Sequence, residues 1–256
     1  LTGEIFDESA LAFDHSDDIA FSSRISGSGS LIQAGSGALT LDGYNPNLYT
    51  GATQVEAGGL YVDNDQSAAT GTTTVAIGAV LGGKGTIGGD VTLSDGATLA
   101  PGSLGGVGTL TINGNLSLSS GSILDYALGQ ADTVGGALND LVNVNGNLVL
   151  DGALNVSVAS GGSFGPGSYR LFNYAGTLTD NGLTLGSMPS SGAQVQTSVA
   201  QQVNLVVGSP DMNLIFWDGD EGPKNNNAVD GGSGTWESGN ALTSNNWTDA
   251  GGAINT

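Results

Sequence analysis

The chain has 256 residues, 24 of them acidic against four basic, for a formal net charge of −20. That charge repels polyphosphate and anionic lipid, and Arg24, Lys84, Arg170 and Lys224 are too scattered to form a patch, so nucleic acid is excluded as a natural partner. Cysteine is absent, which rules out disulfides and thiolate metal sites, and only 11% of residues are charged, so Thr, Ser, Asn and Gly must make up most of the surface.

In chain order, the N-terminus shows no basic segment followed by an apolar run, so no signal peptide is expected and an exported protein would contain this chain as an excised piece. No stretch is apolar for long enough to span a bilayer as a helix. Residues 9–13 and 135–144 are the helix candidates, at most a turn or two each, because neither sustains a 3.6-residue stripe. Residues 31–62, LIQAGSGALTLDGYNPNLYTGATQVEAGGLYV, alternate apolar and polar positions in short bursts, which predicts strands over 38–41, 53–55 and 60–62. Gly35, Gly37, Gly43, Gly51, Gly58 and Gly59 punctuate those bursts and mark turning points.

Three later segments align with one another: Gly89-Asp90-Val91-Thr92-Leu93, Gly114-Asn115-Leu116-Ser117-Leu118 and Gly146-Asn147-Leu148-Val149-Leu150. Their starts lie 25 and 32 residues apart, within the range of solenoid repeats, and the longer gap leaves room for a loop at 130–139. In a parallel β-helix each strand would pair with its counterpart one coil away, with Gly, Asn and Asp at corners that need left-handed dihedrals. The pairs Asp42-Gly43, Asp95-Gly96, Asn113-Gly114, Asn145-Gly146, Asp151-Gly152 and Asn181-Gly182 are also hairpin signals, so a β-sandwich stands as the alternative. Further strands are expected over 168–176, 177–186 and 203–207, with Tyr169, Leu171, Phe172 and Tyr174 in the core or at an edge. The polar, Asn-rich stretch 218–227 reads as a loop or unit boundary.

Residues 31–62 resemble the passenger-associated transport repeat of bacterial autotransporters. The family pattern runs from G-x-G-x-L-x-L through a Tyr/Asn loop ending in Tyr-Thr-Gly to T-x-V-x-x-G-x-L-x-V. Gly35, Gly37, Leu39, Leu41, Gly43, Tyr49, Thr50, Gly51, Thr53, Val55, Gly58, Leu60 and Val62 occupy its positions. Leu11-Ala12-Phe13-Asp14 and residues 25–31 are similar to the usual lead-in. Phe216-Trp217-Asp218-Gly219, Gly234-Thr235-Trp236 and Asn246-Trp247-Thr248 are similar to the lead-in of a following repeat. The resemblance implies a right-handed parallel β-helix: a passenger segment over 1–210 containing the repeat, then a lead-in over 211–256 that continues the coil. It further implies a stalk or adhesin on the bacterial cell surface or released from it, with the repeat assisting export. The implied partners are a host surface protein or glycan, or another copy of the chain, and the parent's outer-membrane barrel would lie elsewhere. Trp217, Trp236 and Trp247, as lead-in residues, are expected to pack on the coil.

Residues able to carry chemistry reduce to structural roles. Gly161-Gly162-Ser163-Phe164-Gly165 fits a nucleophile elbow, but the sole histidine, His15, is far upstream and Pro166 opposes a following helix. Gly78 to Lys84 begins a phosphate-loop pattern that Gly85 breaks, and the overlapping glycine fingerprint at 83–88 leads into a strand. Asp14, Asp17, Asp18, Asp63, Asp65 and Asp218-Gly219-Asp220-Glu221 could supply oxygen to calcium, yet fit no calcium loop and read as solvated acidic turns. A polysaccharide-cleaving β-helix would need converging carboxylates or an arginine base; Arg24 and Arg170 are isolated, and Asp90, Asp95, Asp125 and Asp151 read mostly as corner residues. No catalytic, cofactor-binding or metal-binding residue is assigned, no cofactor is expected, and the chain is read as non-enzymatic.

Overall fold

A computed structural model describes residues 3–208, 215–219, 222–234, 246–249 and 251–253, and every regular element among them is a strand. The strands arrive in threes. β1 (Ile5–Phe6), β2 (Ala10–Phe13) and β3 (Ile19–Phe21) form the first coil; β4 (Ile25–Gly27), β5 (Ser30–Gln33) and β6 (Ala38–Leu41) form the second. The third and fourth are β7 (Leu48–Tyr49), β8 (Thr53–Val55) and β9 (Gly59–Val62), then β10 (Asp65–Gln66), β11 (Thr73–Val75) and β12 (Val80–Gly83). The fifth and sixth are β13 (Thr86–Ile87), β14 (Val91–Leu93) and β15 (Thr98–Pro101), then β16 (Thr109–Ile112), β17 (Leu116–Leu118) and β18 (Ile123–Leu128). Two more coils follow: β19 (Leu141–Val144), β20 (Leu148–Leu150) and β21 (Ala153–Val158), then β22 (Gly167–Tyr174), β23 (Leu178–Asp180) and β24 (Thr184–Leu185).

From the second coil on, each strand of the coils pairs in parallel with the strand three places before it, except that β10 does not pair with β7. One face is the eight-stranded sheet β2-β5-β8-β11-β14-β17-β20-β23, and the next is β3-β6-β9-β12-β15-β18-β21-β24. The remaining face is built by β1-β4-β7 and then β10-β13-β16-β19-β22. This is a parallel β-helix. The sandwich alternative is overturned, because the Asp-Gly and Asn-Gly pairs sit at corners that hand the chain to the next face instead of folding it back. Apart from single antiparallel bridges between Gly83 and Gly102 and between Leu128 and Asn139, antiparallel pairing among the described residues follows the eighth coil: β25 (Ala193–Gln196) and β26 (Gln202–Val207) form a hairpin that docks on β22 through β26. β27 (Phe216–Trp217) and β28 (Trp247–Thr248) form a separate antiparallel pair.

The aligned segments of the sequence lie in register, Val91 beside Leu116 beside Leu148. On the second face Leu39, Leu60, Leu81, Leu99, Leu124 and Leu154 stack as one fully buried column. Each such leucine contributes about 1.5–3 kcal/mol of burial, so each added coil extends the same spine. The helix expected at 9–13 is replaced by β2, and that at 135–144 by a loop running into β19. Both segments are too short to nucleate a helix, whereas Ala10–Phe13 finds a ready ladder on Ser30–Gln33.

Gly96, Gly152 and Gly182 adopt the expected left-handed dihedrals, with φ of 76°, 96° and 95°, whereas other corners have a different cause. Gly114, Gly146 and Gly176 do not adopt left-handed dihedrals; a Cβ there would come within 2.3, 2.6 and 2.3 Å of the Asp90, Asn115 and Asn147 side-chain oxygens of the preceding coil. Those oxygens accept the next coil's backbone N–H: Asp90 from Asn115, Asn115 from Asn147 and Asn147 from Thr177, each at 2.8 Å. The recurring Gly-Asx pair is therefore an inter-coil ladder, with glycine leaving room for the side chain beneath it.

Where the third face passes from β7 to β10, polar groups fill the interior. The Asn47 N–H donates to the Asp65 carbonyl. The buried Tyr49 hydroxyl donates to Gln66 Oε1 at 2.8 Å and lies 2.7 Å from Thr53 Oγ1. Burial pushes its pKa up to about 12.

Candidate functional site

On the outer side of the second face, one column of positions runs Thr40, Tyr61, Gly82 and Ala100 in direct register. Leu99 pairs with Leu124, so the column continues to Asp125, which pairs with Asn155. Gly82 is bare for a reason: a Cβ there would lie 2.6 Å from Tyr61 Cε1, and one at Gly59 would lie 2.9 Å from Cε2. The Tyr61 ring thus rests against backbone that only glycine leaves open. Burial, and then the negative charges of Asp18 and Asp125, raise its pKa above the ordinary phenol value.

This face forms the floor of a cavity of about 790 Å³, lined by Tyr61, Asp125, Asn155 and Ser157 and walled by the turn at 103–107 and by Ala137. No Lys, Arg or His is among its lining residues. Asn155 Nδ2 donates to Asp125 Oδ1 at 2.9 Å, and Asn155 Oδ1 accepts from the Ser187 N–H at 2.9 Å. Asp125 is exposed and Asn155 uses only one of its oxygens, while Ser103 Oγ is buried without a hydrogen-bond partner in the turn beside it.

The walls are held by a buried pair. Asn139 accepts the N–H groups of Gly129 and Gln130 and donates to the carbonyls of Gln130 and Thr133, which folds the long loop after β18. Asp140 accepts from Gly108 at 2.8 Å and from Ala127 at 2.7 Å, tying the 103–107 turn and β18 to the start of β19. Burial pushes the Asp140 carboxyl up to about 7 against these two stabilising N–H donors.

The residues singled out in the sequence lie elsewhere. Ser163 is exposed on the loop before β22, while His15 follows β2 and sits 3.7 Å from Asp17, so the two are not brought together. Gly78 to Lys84 spans β12, and 83–88 leads through β13 to β14, with no helix N-terminus at either. Asp18, Asp63 and Asp65 accept backbone N–H groups of Ala38, Lys84 and Ser67. Among the described residues no three His, Asp or Glu side chains converge as a metal site, and Asp220 and Glu221 lie outside those residues. Arg24 pairs with Glu4 at 2.8 Å, and Arg170 bonds Asn204 and Asn173. Asp90, Asp95 and Asp151 are corner acceptors as expected; Asp125 instead sits mid-strand on β18. Trp217 and Trp247 pack edge-to-face on each other at 5.2 Å, and Trp236 lies outside the described residues.

No protein-family model matches the chain. A 132-residue stretch, 52% of the chain, is 61% identical to part of the adhesin BmaC autotransporter of Brucella suis biovar 1 (strain 1330). The chain is homologous to an autotransporter adhesin. The autotransporter resemblance read from residues 31–62 is borne out, and the parallel β-helix with it. The aligned stretch spans 4% of the length of that autotransporter.

Sequence reasoning missed the groove. Its floor residues come from separate coils, and Tyr61 occupies a position of the transport-repeat pattern that is open to any residue. The one available signal was the wider spacing before Gly146, which marked the insertion that Asn139 and Asp140 hold in place.

Proposed function

We propose that this chain is a passenger segment of an outer-membrane autotransporter, displayed on the cell surface as a β-helical stalk of an adhesin. The observation that carries this reading is the 61% identity to an autotransporter adhesin, in a chain whose coils stack as a parallel β-helix. The role is structural and adhesive, without catalysis: both Asp140 oxygens are occupied by backbone donors, so its carboxyl is not free to act on a ligand. A stalk gains length by repeating one unit, and each coil here needs only its neighbours.

The transport repeat, residues 31–62, supplies β5 through β9 and the polar plug around Tyr49. In this reading it is the unit on which outward folding starts: each coil that adds buries another leucine and opposes return of the unfolded chain. Residues 211–256 are read as the lead-in to a following unit. Deleting residues 31–62 from the full-length parent is expected to lower antibody labelling of intact cells severalfold. Unchanged labelling removes the export role, and absence of labelling of the intact parent removes the surface assignment.

A further inference from the structure

We propose that the groove over Tyr61, Asp125 and Asn155 is a binding site for a neutral oligosaccharide. This deepens the adhesin reading, on which it rests for its biological setting. Four observations converge. The Tyr61 ring lies against glycines at 59 and 82 and next to Ala100, so an aromatic face sits on a floor cleared of side chains along the coil axis. The sugar ring's C–H face packs on such an aromatic surface, and the tyrosine hydroxyl remains available for a polar contact.

Beyond the ring, Asp125 and Asn155 stand one coil apart, at the strand spacing of about 4.8 Å. A pyranose unit is of similar length, so successive residues of an oligosaccharide can each meet one coil. Asp125 offers an acceptor oxygen not used by Asn155, and Ser157 adds a hydroxyl.

The volume, about 790 Å³, falls within the roughly 300–1,000 Å³ of small-ligand sites, and is a cleft instead of the broad surface that a protein partner requires. Charge selects among sugars. With Asp125 in the floor, no basic residue in the lining and a net charge of −20, sialylated, sulfated and uronate-containing glycans are disfavoured. The site binds without cleaving, because the second carboxylate of the groove, Asp140, spends both oxygens on Gly108 and Ala127.

The test is a printed array of defined neutral and anionic oligosaccharides probed with the fluorescently labelled chain. Binding is expected to neutral oligosaccharides of two or more units, and not to their sialylated or sulfated forms. Tyr61→Ala is expected to weaken that binding at least about tenfold, while Tyr61→Phe, which keeps the ring, stays within about threefold. Asp125→Ala is expected to weaken it severalfold, and Thr92→Ala, on a different face, to leave it unchanged. Unaltered thermal midpoints confirm that the variants are folded. The proposal is overturned by no neutral ligand on the array, by preference for anionic glycans, by equal binding of Tyr61→Ala, or by release of reducing ends from the bound sugar. Surface labelling of the parent separates the two readings: a displayed chain that binds no sugar sinks only this proposal, and a sugar-binding chain that is never displayed sinks only the passenger assignment.

Discussion

Tyr49→Phe removes one oxygen from the polar plug between the third and fourth coils and isolates the energetic role of a buried hydroxyl with two side-chain partners. Its hydroxyl carries a single proton, donated to Gln66 Oε1, so the Thr53 hydroxyl donates to it in turn. Without that oxygen, Gln66 loses an acceptor's partner and Thr53 a donor's partner, in an interior where Tyr49 is 1% exposed, Gln66 3% and Thr53 4%. Each buried orphan costs about 1–3 kcal/mol, and small shifts of Gln66 recover part of it, giving a net loss of about 2–4 kcal/mol. Urea unfolding followed by circular dichroism reads the loss, and amide exchange locates it in the second to fifth coils, since each coil leans mainly on its neighbours. The combined variant Tyr49→Phe, Thr53→Val, Gln66→Leu removes these two orphans along with the hydroxyl, takes from Asn64 Oδ1 its 3.3 Å donor Gln66 Nε2, and is expected to regain part of the stability. A Tyr49→Phe change below about 0.5 kcal/mol, or no recovery in the combined variant, refutes the reasoning.

Three further outcomes follow from the geometry. Gly51→Ala places a Cβ 2.2 Å from the Gly29 carbonyl oxygen and is expected to cost about 1–3 kcal/mol in urea unfolding, whereas Gly165→Ala, with nothing within 4 Å, is expected to be near neutral. Leu99→Ala, in the middle of the leucine column, is expected to cost about 2–5 kcal/mol by the same assay. Asp140 has a folded pKa of about 7 against 3.8 when unfolded, so the folded state holds its proton more tightly. Its contribution is therefore most favourable below pH 4 and is lost as pH rises toward and through 7. The difference in thermal midpoint between the wild type and Asp140→Asn should change across pH 4–7 and level off above it; a difference that is flat with pH contradicts the assignment.

The faces of the solenoid differed in how far the sequence disclosed them. Val91-Thr92-Leu93 and Leu116-Ser117-Leu118 alternate apolar and polar residues, and Leu148-Val149-Leu150 keeps the same outer apolar pair at the same distance from its glycine, so both strand and register could be read directly. The third face could not, because β10 and β13 are two residues long and Asp65-Gln66 is polar; such a strand exists only through pairing with its neighbour. Ala10–Phe13 was obscure for the same reason, a short apolar run whose partner lies twenty residues on. Corner glycines were found, and the left-handed dihedral holds at Gly96, Gly152 and Gly182, but the reason for Gly114 and Gly146 was hidden, since close approach by the coil beneath leaves no local mark that distinguishes it from a left-handed dihedral. The direction of the 203–207 strand was likewise hidden: its buried Val203, Leu205 and Val207 would suit either orientation. The groove is the extreme case, built by Tyr61, Asp125 and Asn155 from positions that acquire meaning only after the coils are stacked.

That stacking can be tested by cross-linking, and the absence of native cysteine leaves the background clean. Thr92 pairs with Ser117 and Ser117 with Val149 on the outer side of the first face. Strands one coil apart are separated by about 4.8 Å, within disulfide reach, and those two coils apart by about 10 Å, beyond it. Paired cysteines at 92 and 117, or at 117 and 149, should oxidise rapidly and completely within one chain, while cysteines at 92 and 149 should remain free thiols. Ready closure of the 92–149 pair, or failure of both adjacent pairs in folded protein, would contradict the in-register coil.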